Sequence, residues 1–592
     1  MEDTSAGKTA AQAGAGEAAE ANFETIAPSA RQATVPSASQ AKAPAVHRAA
    51  APSARQATAQ QAAALSPKPG PAAVLMIQGT ASDVGKSLVT AAIGRIMTRD
   101  GYRTAPFKSQ NMALNSYVTA DGKEIGRAQG MQAEAFGITA TSDMNPILLK
   151  PSGEMSAQIV VHGVPHAALS AREYREKFLP EAKGTVMDAL GRLREAYDIV
   201  LLEGAGSPAE INLKARDIVN MNLAGWADAP VLLVADIDRG GVFAFIVGTL
   251  ELLEPQERAR VKGFVINKFR GDVSLLQPGL DWLEERTGIP VLGVLPFLPQ
   301  LRIEAEDSVV LEGTSGRFRG DSAKELDIAV IRYPRISNFT DFDPLEEEPD
   351  AAVRYVTSAD ELGTPDVIIL PGTKNTAADL QYLREQGFPE AIERALGQGT
   401  HQLAGICGGY QMLGLKLLDP DAVESAEPGE SEGLGYLPLS TSFLQQKTTV
   451  RVSGGLAGGH PLRLSPAGTG RMGELPVTGY EIHMGTTTNH DPASVLSLFT
   501  IAAPEELAVP EGWGTPDGRI WGSYLHGLFH NDELRRSWLN GLRIAKGLAP
   551  LTATFSAAAL REQEFERLAD TMKSHLNMAA VYEIMGLSAG AN

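Results

Sequence analysis

Five short runs of Val, Ile and Leu punctuate the first half of the chain: VLMIQG at 74–79, DIVLLEG at 198–204, VLLVAD at 231–236, FVINK at 264–268 and VLGVLP at 291–296. None alternates apolar with polar side chains, which is the pattern of strands covered on both faces. Longer helical patterns separate them. Parallel neighbours need a crossover helix, and such helices cover both faces of the sheet, so the runs predict an α/β fold with a mainly parallel, doubly wound sheet.

A second series follows, with LDIAVI at 326–331, DVIIL at 366–370, LAGI at 403–406 and WGSYLHGLF at 521–529. The chain has 592 residues, too many for one hydrophobic core. We read two tandem α/β domains, at 71–300 and 326–545. A polar, Gly-rich linker (EGTSGRFRGDS) lies at 301–325 between them, and a helical segment at 546–592 follows. In that last segment Phe565, Leu568, Met572 and Leu576 recur at helical spacing, which predicts an amphipathic helix packed on the body. Residues 1–70 are rich in Ala, Pro, Ser and Gln and repeat APSARQAT at Ala27–Thr34 and Ala51–Thr58. Such a segment buries too little apolar area to offset its ordering entropy, so a disordered extension is expected.

The charge is 52 basic minus 71 acidic residues, or −19, which argues against nucleic acid or an anionic membrane surface as partner. No uncharged apolar run reaches the roughly 20 residues of a spanning helix, and no signal peptide is evident. Cys407 is the single cysteine. A cytoplasmic protein without disulfides is expected, and a homo-oligomer is compatible with the sequence.

The run at 74–78 enters GTASDVGKS, Gly79 to Ser87, and then a helical pattern. Strand, small-residue loop and helix make a phosphate cradle: backbone N–H groups converge on the anion, Lys86 adds charge, and the Ser87 hydroxyl suits Mg²⁺. Five residues separate Gly79 from Gly85, so Thr80 stands where such loops usually begin with glycine. Glu203, Asp236 and Asp238 end neighbouring strand patterns, where ligands collect, and are candidate Mg²⁺ ligands or cap residues. Asn267 and Lys268 either meet the nucleotide base or form a turn. The polar stretch 108–135 offers Lys108, Gln110, Asn111, Glu124, Arg127 and Gln129 to a carboxylate-bearing ligand, with Lys150 in the same group.

In the second domain LAGI runs into Cys407, Gly408, Gly409 and a helical YQMLGLKLL. A sharp strand-to-helix turn exposes the side chain, and glycines relieve the crowding. The helix N-terminus favours an anionic sulfur. Thiol attack on an amide needs a base and an oxyanion site. Backbone N–H groups of Gly408 and Gly372 are candidate oxyanion donors; His526 is the favoured base and His483, near Glu481, its competitor.

Taken together these residues resemble the cobyric acid synthases, a family that fuses a dethiobiotin synthetase-like nucleotide domain to a class I glutamine amidotransferase domain. GTASDVGKS and EGAG carry the first part; GICGGYQMLG, YEIHMG, SYLHGLF, KSQNMALNS and NPILLKP match this branch in particular. The resemblance spans about residues 72–540 and implies ATP- and glutamine-dependent amidation of the b, d, e and g carboxylates of an adenosylated corrinoid, adenosylcobyrinic acid a,c-diamide. It implies a Cys407 and His526 pair, with an enclosed path for ammonia. Class I triads carry Glu two residues after the histidine, and Leu528 stands there, leaving His526 without an orienting group. The related cobyrinic acid a,c-diamide synthases and phosphate-loop ATPase switches are the competing readings.

Overall fold

The computed structural model describes residues 70–153, 156–299, 301–303, 324–424, 427–465, 475–552 and 555–588. The expected N-terminal extension and most of the expected linker lie outside them. Six parallel strands form the first sheet: β1 (Ala73–Gly79), β2 (Thr104–Phe107), β3 (Ile199–Glu203), β4 (Val231–Asp236), β5 (Val261–Phe269) and β6 (Val291–Pro296). Their order across the sheet is β6-β5-β4-β1-β3-β2, so the order reverses beside β1. That reversal opens a crevice at the carboxyl ends of β1, β3 and β4, where the phosphate loop and the strand-end acids sit. β3 and β4 are buried along their whole length, as their unbroken apolar text requires.

Helix α1 (Lys86–Arg99) follows the loop. Between β2 and α2 (Arg127–Ala135), a small antiparallel hairpin pairs Ser116–Val118 with Glu124–Gly126. Helix α3 (Ala557–His575) packs against α1 and β6: Phe565, Leu568 and Met572 are buried with Ile93, Met97 and Leu292, as is Leu576 just beyond the helix. Charge pairs line that contact, with Arg95 on Glu562 and Glu566 and Arg99 on Asp570 at 2.6 Å.

In the second sheet β7 (Leu326–Ile331), β8 (Ala351–Val356), β9 (Val367–Leu370), β10 (Gln402–Ile406) and β13 (Ile520–Ser523) run parallel in the order β8-β7-β9-β10-β13. Beyond β13 the sheet turns antiparallel and includes a long ribbon of β11 (Leu439–Leu456) and β12 (Pro476–Asn489). The sequence reading did not anticipate this ribbon, because its text, LSTSFLQQKTTVRVSGGL, is polar and only partly alternating. The ribbon matters to function: it reaches the 116–126 hairpin, where Val118, Tyr480 and Ile482 bury one another and Arg451 Nε donates to Val118 O at 2.7 Å. Among the described residues no helix is long and apolar enough to cross a membrane.

Candidate active site

β10 and β13 are neighbours in parallel register, Ile406 beside Ser523. Cys407 and His526 therefore emerge from adjacent strand ends on one edge of the sheet. Cys407 N–H still donates to Ser523 O at 2.8 Å, and the chain then breaks sharply into the short helix Gly408–Met412. Cys407 sits at φ 52 and ψ −108, a strained conformation for a residue with a side chain. The glycines make the turn feasible. A Cβ on Gly409 would stand 2.0 Å from Leu370 O, and one on Gly405 would meet the Gly409 carbonyl at 2.7 Å.

His526 is buried, and its Nδ1 lies 2.6 Å from Asp341 Oδ2. The other oxygen of Asp341 accepts from Gly527 N at 2.9 Å, so one carboxylate holds both the ring and its backbone. Tyr480 stacks on the imidazole with centroids 5.2 Å apart. Burial alone pulls the His526 pKa down; the Asp341 carboxylate and the neighbouring Cys407 sulfur outweigh it and raise the value to about 10. The orienting group absent from position 528 thus comes from Asp341, in the turn Phe339–Phe342 after β7, while Leu528 is buried in the core. Nothing local in NFTDF marks it out.

His483, the competing base, stacks on Tyr524 at 3.7 Å and places Nδ1 3.2 Å from Gly485 O. Gly372 backs the His526 ring: a Cβ there would lie 3.1 Å from His526 Cε1. Gly408 faces the same strand end, next to Thr373. Gln411, not singled out from sequence, is fully engaged, with Oε1 accepting from Thr376 and Nε2 donating to Met484 O and Tyr524.

The crevice of the first sheet opens into a cavity of about 1410 Å³, lined by the phosphate-loop residues Ser82, Asp83, Gly85, Lys86 and Ser87 and by Glu203. Lys86 Nζ spans Ala81 O at 3.0 Å and Gly206 O at 3.2 Å, so the loop is already closed around its cation. Thr80 does not line the cavity; it lies just past the end of β1, where its N–H donates to Val234 O. Glu203 Oε1 accepts from Ser87 Oγ at 2.9 Å and Lys108 Nζ at 3.0 Å, and Oε2 accepts from Gln132 at 2.6 Å. A serine hydroxyl and a carboxylate at one spot beside a phosphate loop are hard oxygen donors of the kind Mg²⁺ takes, and Ser87 and Glu203 would hold it. Asp236 is engaged in the same way, with Lys268 Nζ 2.8 Å from its Oδ2 and Asp238 N donating to its Oδ1; Asp238 pairs with Arg270. Asn267 props the loop, donating to Val84 O at 2.8 Å. It also lines a neighbouring cavity of about 1140 Å³ with Gly85, Leu298 and Pro299.

Lys108, Gln110, Asn111 and Arg127 line the large cavity, together with Arg175, Lys214, Arg216 and Arg239, which sequence reading passed over. This basic wall lies inside an acidic protein, suiting a ligand with several carboxylates. Three expected members, Glu124, Gln129 and Lys150, fall elsewhere. Gln129 is buried behind Asn111, accepting from its amide at 3.1 Å. Lys150 points into a buried seam between the domains, where its ammonium meets Ser116 Oγ at 2.8 Å and Glu124 Oε1 at 2.7 Å. Lys447 of the long ribbon reaches the same carboxylate.

The comparisons with known proteins agree with this division. A CobQ/CobB/MinD/ParA nucleotide-binding domain matches residues 75–310, and a CobB/CobQ-like glutamine amidotransferase domain matches 327–534. Similar relatives include cobyric acid synthases of Desulforamulus reducens, 51% identical over 88% of this chain and 99% of theirs, and of Sorangium cellulosum, 53% identical over 87% and 99%. That of a Geobacillus strain is 50% identical over 86% of this chain and 97% of its own. With both domains present and nearly the whole length of those relatives covered, the chain belongs to the cobyric acid synthase family.

Proposed function

We propose that this chain makes four amides on adenosylcobyrinic acid a,c-diamide, at the b, d, e and g carboxylates, using ATP, Mg²⁺ and L-glutamine in the cytoplasm. The observation that carries the reading is one compact unit holding both a buried Cys407, His526 and Asp341 array and a phosphate-loop cavity with a basic wall.

At the thiol site, Cys407 Sγ attacks the glutamine side-chain carbonyl carbon after its proton passes to His526 Nε2. His526 returns that proton to the departing nitrogen, so ammonia leaves and a thioester remains; a water deprotonated by His526 then releases glutamate. Asp341 holds Nδ1 protonated throughout, and backbone N–H groups of Gly408 and Gly372 receive the developing oxyanion.

At the other site the phosphate loop and Lys86 hold ATP against a substrate carboxylate, which is a poor electrophile until phosphorylated. Mg²⁺, held by Ser87 and Glu203, would neutralise phosphate charge. Ammonia attacks the acyl carbon and inorganic phosphate leaves. Lys108, Gln110, Asn111 and Arg127 orient the corrinoid's carboxylates and amides. Asn267 supports the loop and faces the base. The ammonia route we infer crosses the seam where Ser116 and Lys150 meet Glu124.

The test is amide formation, followed by product mass, in Cys407→Ala. Glutamine-supported synthesis is expected to vanish and ammonium-supported synthesis to persist. Retained glutamine use overturns the assignment, and product with two amides formed from cobyrinic acid would favour the a,c-diamide synthase instead.

A further inference from the structure

Asn338 stands between the two sites. It is buried, adopts φ 52, and belongs to the segment that also carries Asp341. Its Oδ1 accepts from the backbone N–H of Ser116, on the synthetase hairpin, at 3.0 Å. A backbone N–H can only donate, so the oxygen must face Ser116 and the NH₂ must face the other way. The other way is His526: Asn338 Nδ2 lies 3.4 Å from Nε2.

That orientation has a chemical sign. Nε2 is the nitrogen that takes the thiol proton, and an amide donor aimed at it favours a bare lone pair over N–H. The titratable groups around the ring otherwise favour the imidazolium: Asp341 on Nδ1 and the Cys407 sulfur, with the Tyr480 ring stacked on one face. Rotating the Asn338 amide by half a turn would place Oδ1 against Nε2–H and add to that stabilisation. What holds the amide in the unhelpful sense is the synthetase domain.

The hairpin that supplies Ser116 is joined to the nucleotide site. Its second strand, Glu124–Gly126, runs directly into α2, and Gln132 of α2 grips Glu203, which grips Ser87 and Lys108. We propose that Asn338 is a positioning residue through which the synthetase domain restrains glutamine hydrolysis. While Ser116 holds its oxygen, an amide donor opposes proton uptake at His526; occupancy around Glu203 shifts α2 and the hairpin, releases Asn338, and its oxygen then supports the imidazolium. The only movement of charge is the thiol proton from Sγ to Nε2. The proposal rests on Cys407 and His526 being the glutaminase pair.

The test measures glutamate release by the full chain, with and without ATP, Mg²⁺ and adenosylcobyrinic acid a,c-diamide. Asn338→Asp keeps an acceptor for Ser116 but turns an oxygen toward Nε2. Its unstimulated hydrolysis should rise to the stimulated wild-type rate, its stimulation ratio should approach one, and its alkaline limb should move up in pH. Asn338→Gly tolerates the positive φ and removes the amide, so its stimulation ratio should also collapse. Ammonium-supported synthesis at the wild-type rate in both variants reports an intact synthetase domain. A wild-type stimulation ratio in both variants, or an unstimulated rate in Asn338→Asp no higher than wild type, overturns the proposal. A wild-type chain that releases no glutamate under either condition overturns the glutaminase reading beneath it.

Discussion

His526 Nδ1 lies 2.6 Å from Oδ2 of Asp341, a residue 185 positions earlier in the chain. Both are buried, so the contact operates with little solvent screening. On the proposed reading it takes the part of the carboxylate that class I triads place two residues after the histidine, where this chain has Leu528.

Asp341→Asn should therefore remove the orienting charge while keeping the shape. Glutamine-supported synthesis is expected to fall about 10²- to 10⁴-fold, with ammonium-supported synthesis unchanged. The sign on pH follows from the raised value of about 10: His526 is protonated below it, and loss of Asp341 lowers that limit. The alkaline limb of glutamine hydrolysis should move to lower pH. An unshifted limb with full activity would leave Asp341 a mere structural contact.

Glu203 binds Ser87, Lys108 and Gln132 at once. Glu203→Gln retains only one accepting oxygen and leaves the buried Lys108 ammonium without its counter-charge. Synthesis with either nitrogen source is expected to drop at least about 10²-fold, while thioester formation at Cys407, followed by trapping with hydroxylamine, continues. Lys86→Ala should behave the same way. Loss confined to the glutamine-supported reaction would place nucleotide chemistry elsewhere.

In the seam, burial of Glu124 opposes its ionisation, but the Lys150 and Lys447 ammonium groups win and hold its carboxyl well below the usual 4.5. Burial pulls Lys447 down to about 8 even with that carboxylate beside it. Glu124→Gln strands two ammonium groups and should cost about 3–5 kcal/mol, read as a lower thermal midpoint. It should also raise glutamate released per amide formed above one, because ammonia escapes at the loosened seam. For the native chain, the carboxylate's contribution is complete above pH 4.5 and declines as pH falls through its lowered value. A glutamate-to-amide ratio still at one in Glu124→Gln would exclude the seam as the route.

Gly409→Ala places a methyl 2.0 Å from Leu370 O, a backbone atom that cannot step aside. The turn at Cys407 must open, so glutamine use should be lost while ammonium-supported synthesis survives. Crystallography of the variant would show Cys407 displaced from φ 52; an unchanged turn would contradict the packing argument.

Strand runs such as VLLVAD, the loop GTASDVGKS and the elbow GICGG are contiguous, and each carries its own physical requirement: double-sided burial, converging backbone donors, or glycines at a sharp turn. The sequence by itself therefore determined two α/β domains, the loop proposed for phosphate, and the elbow that carries Cys407. Tertiary structure alone decided what serves those groups. Asp341 reaches His526 across the sheet, Lys150 turns into the seam instead of the cavity, Gln129 retreats behind Asn111, and Asn338 bridges from His526 to Ser116. Such contacts join residues far apart in sequence through single hydrogen bonds. They leave no periodicity or composition to read, and their strength depends on a burial that exists only once the chain has folded.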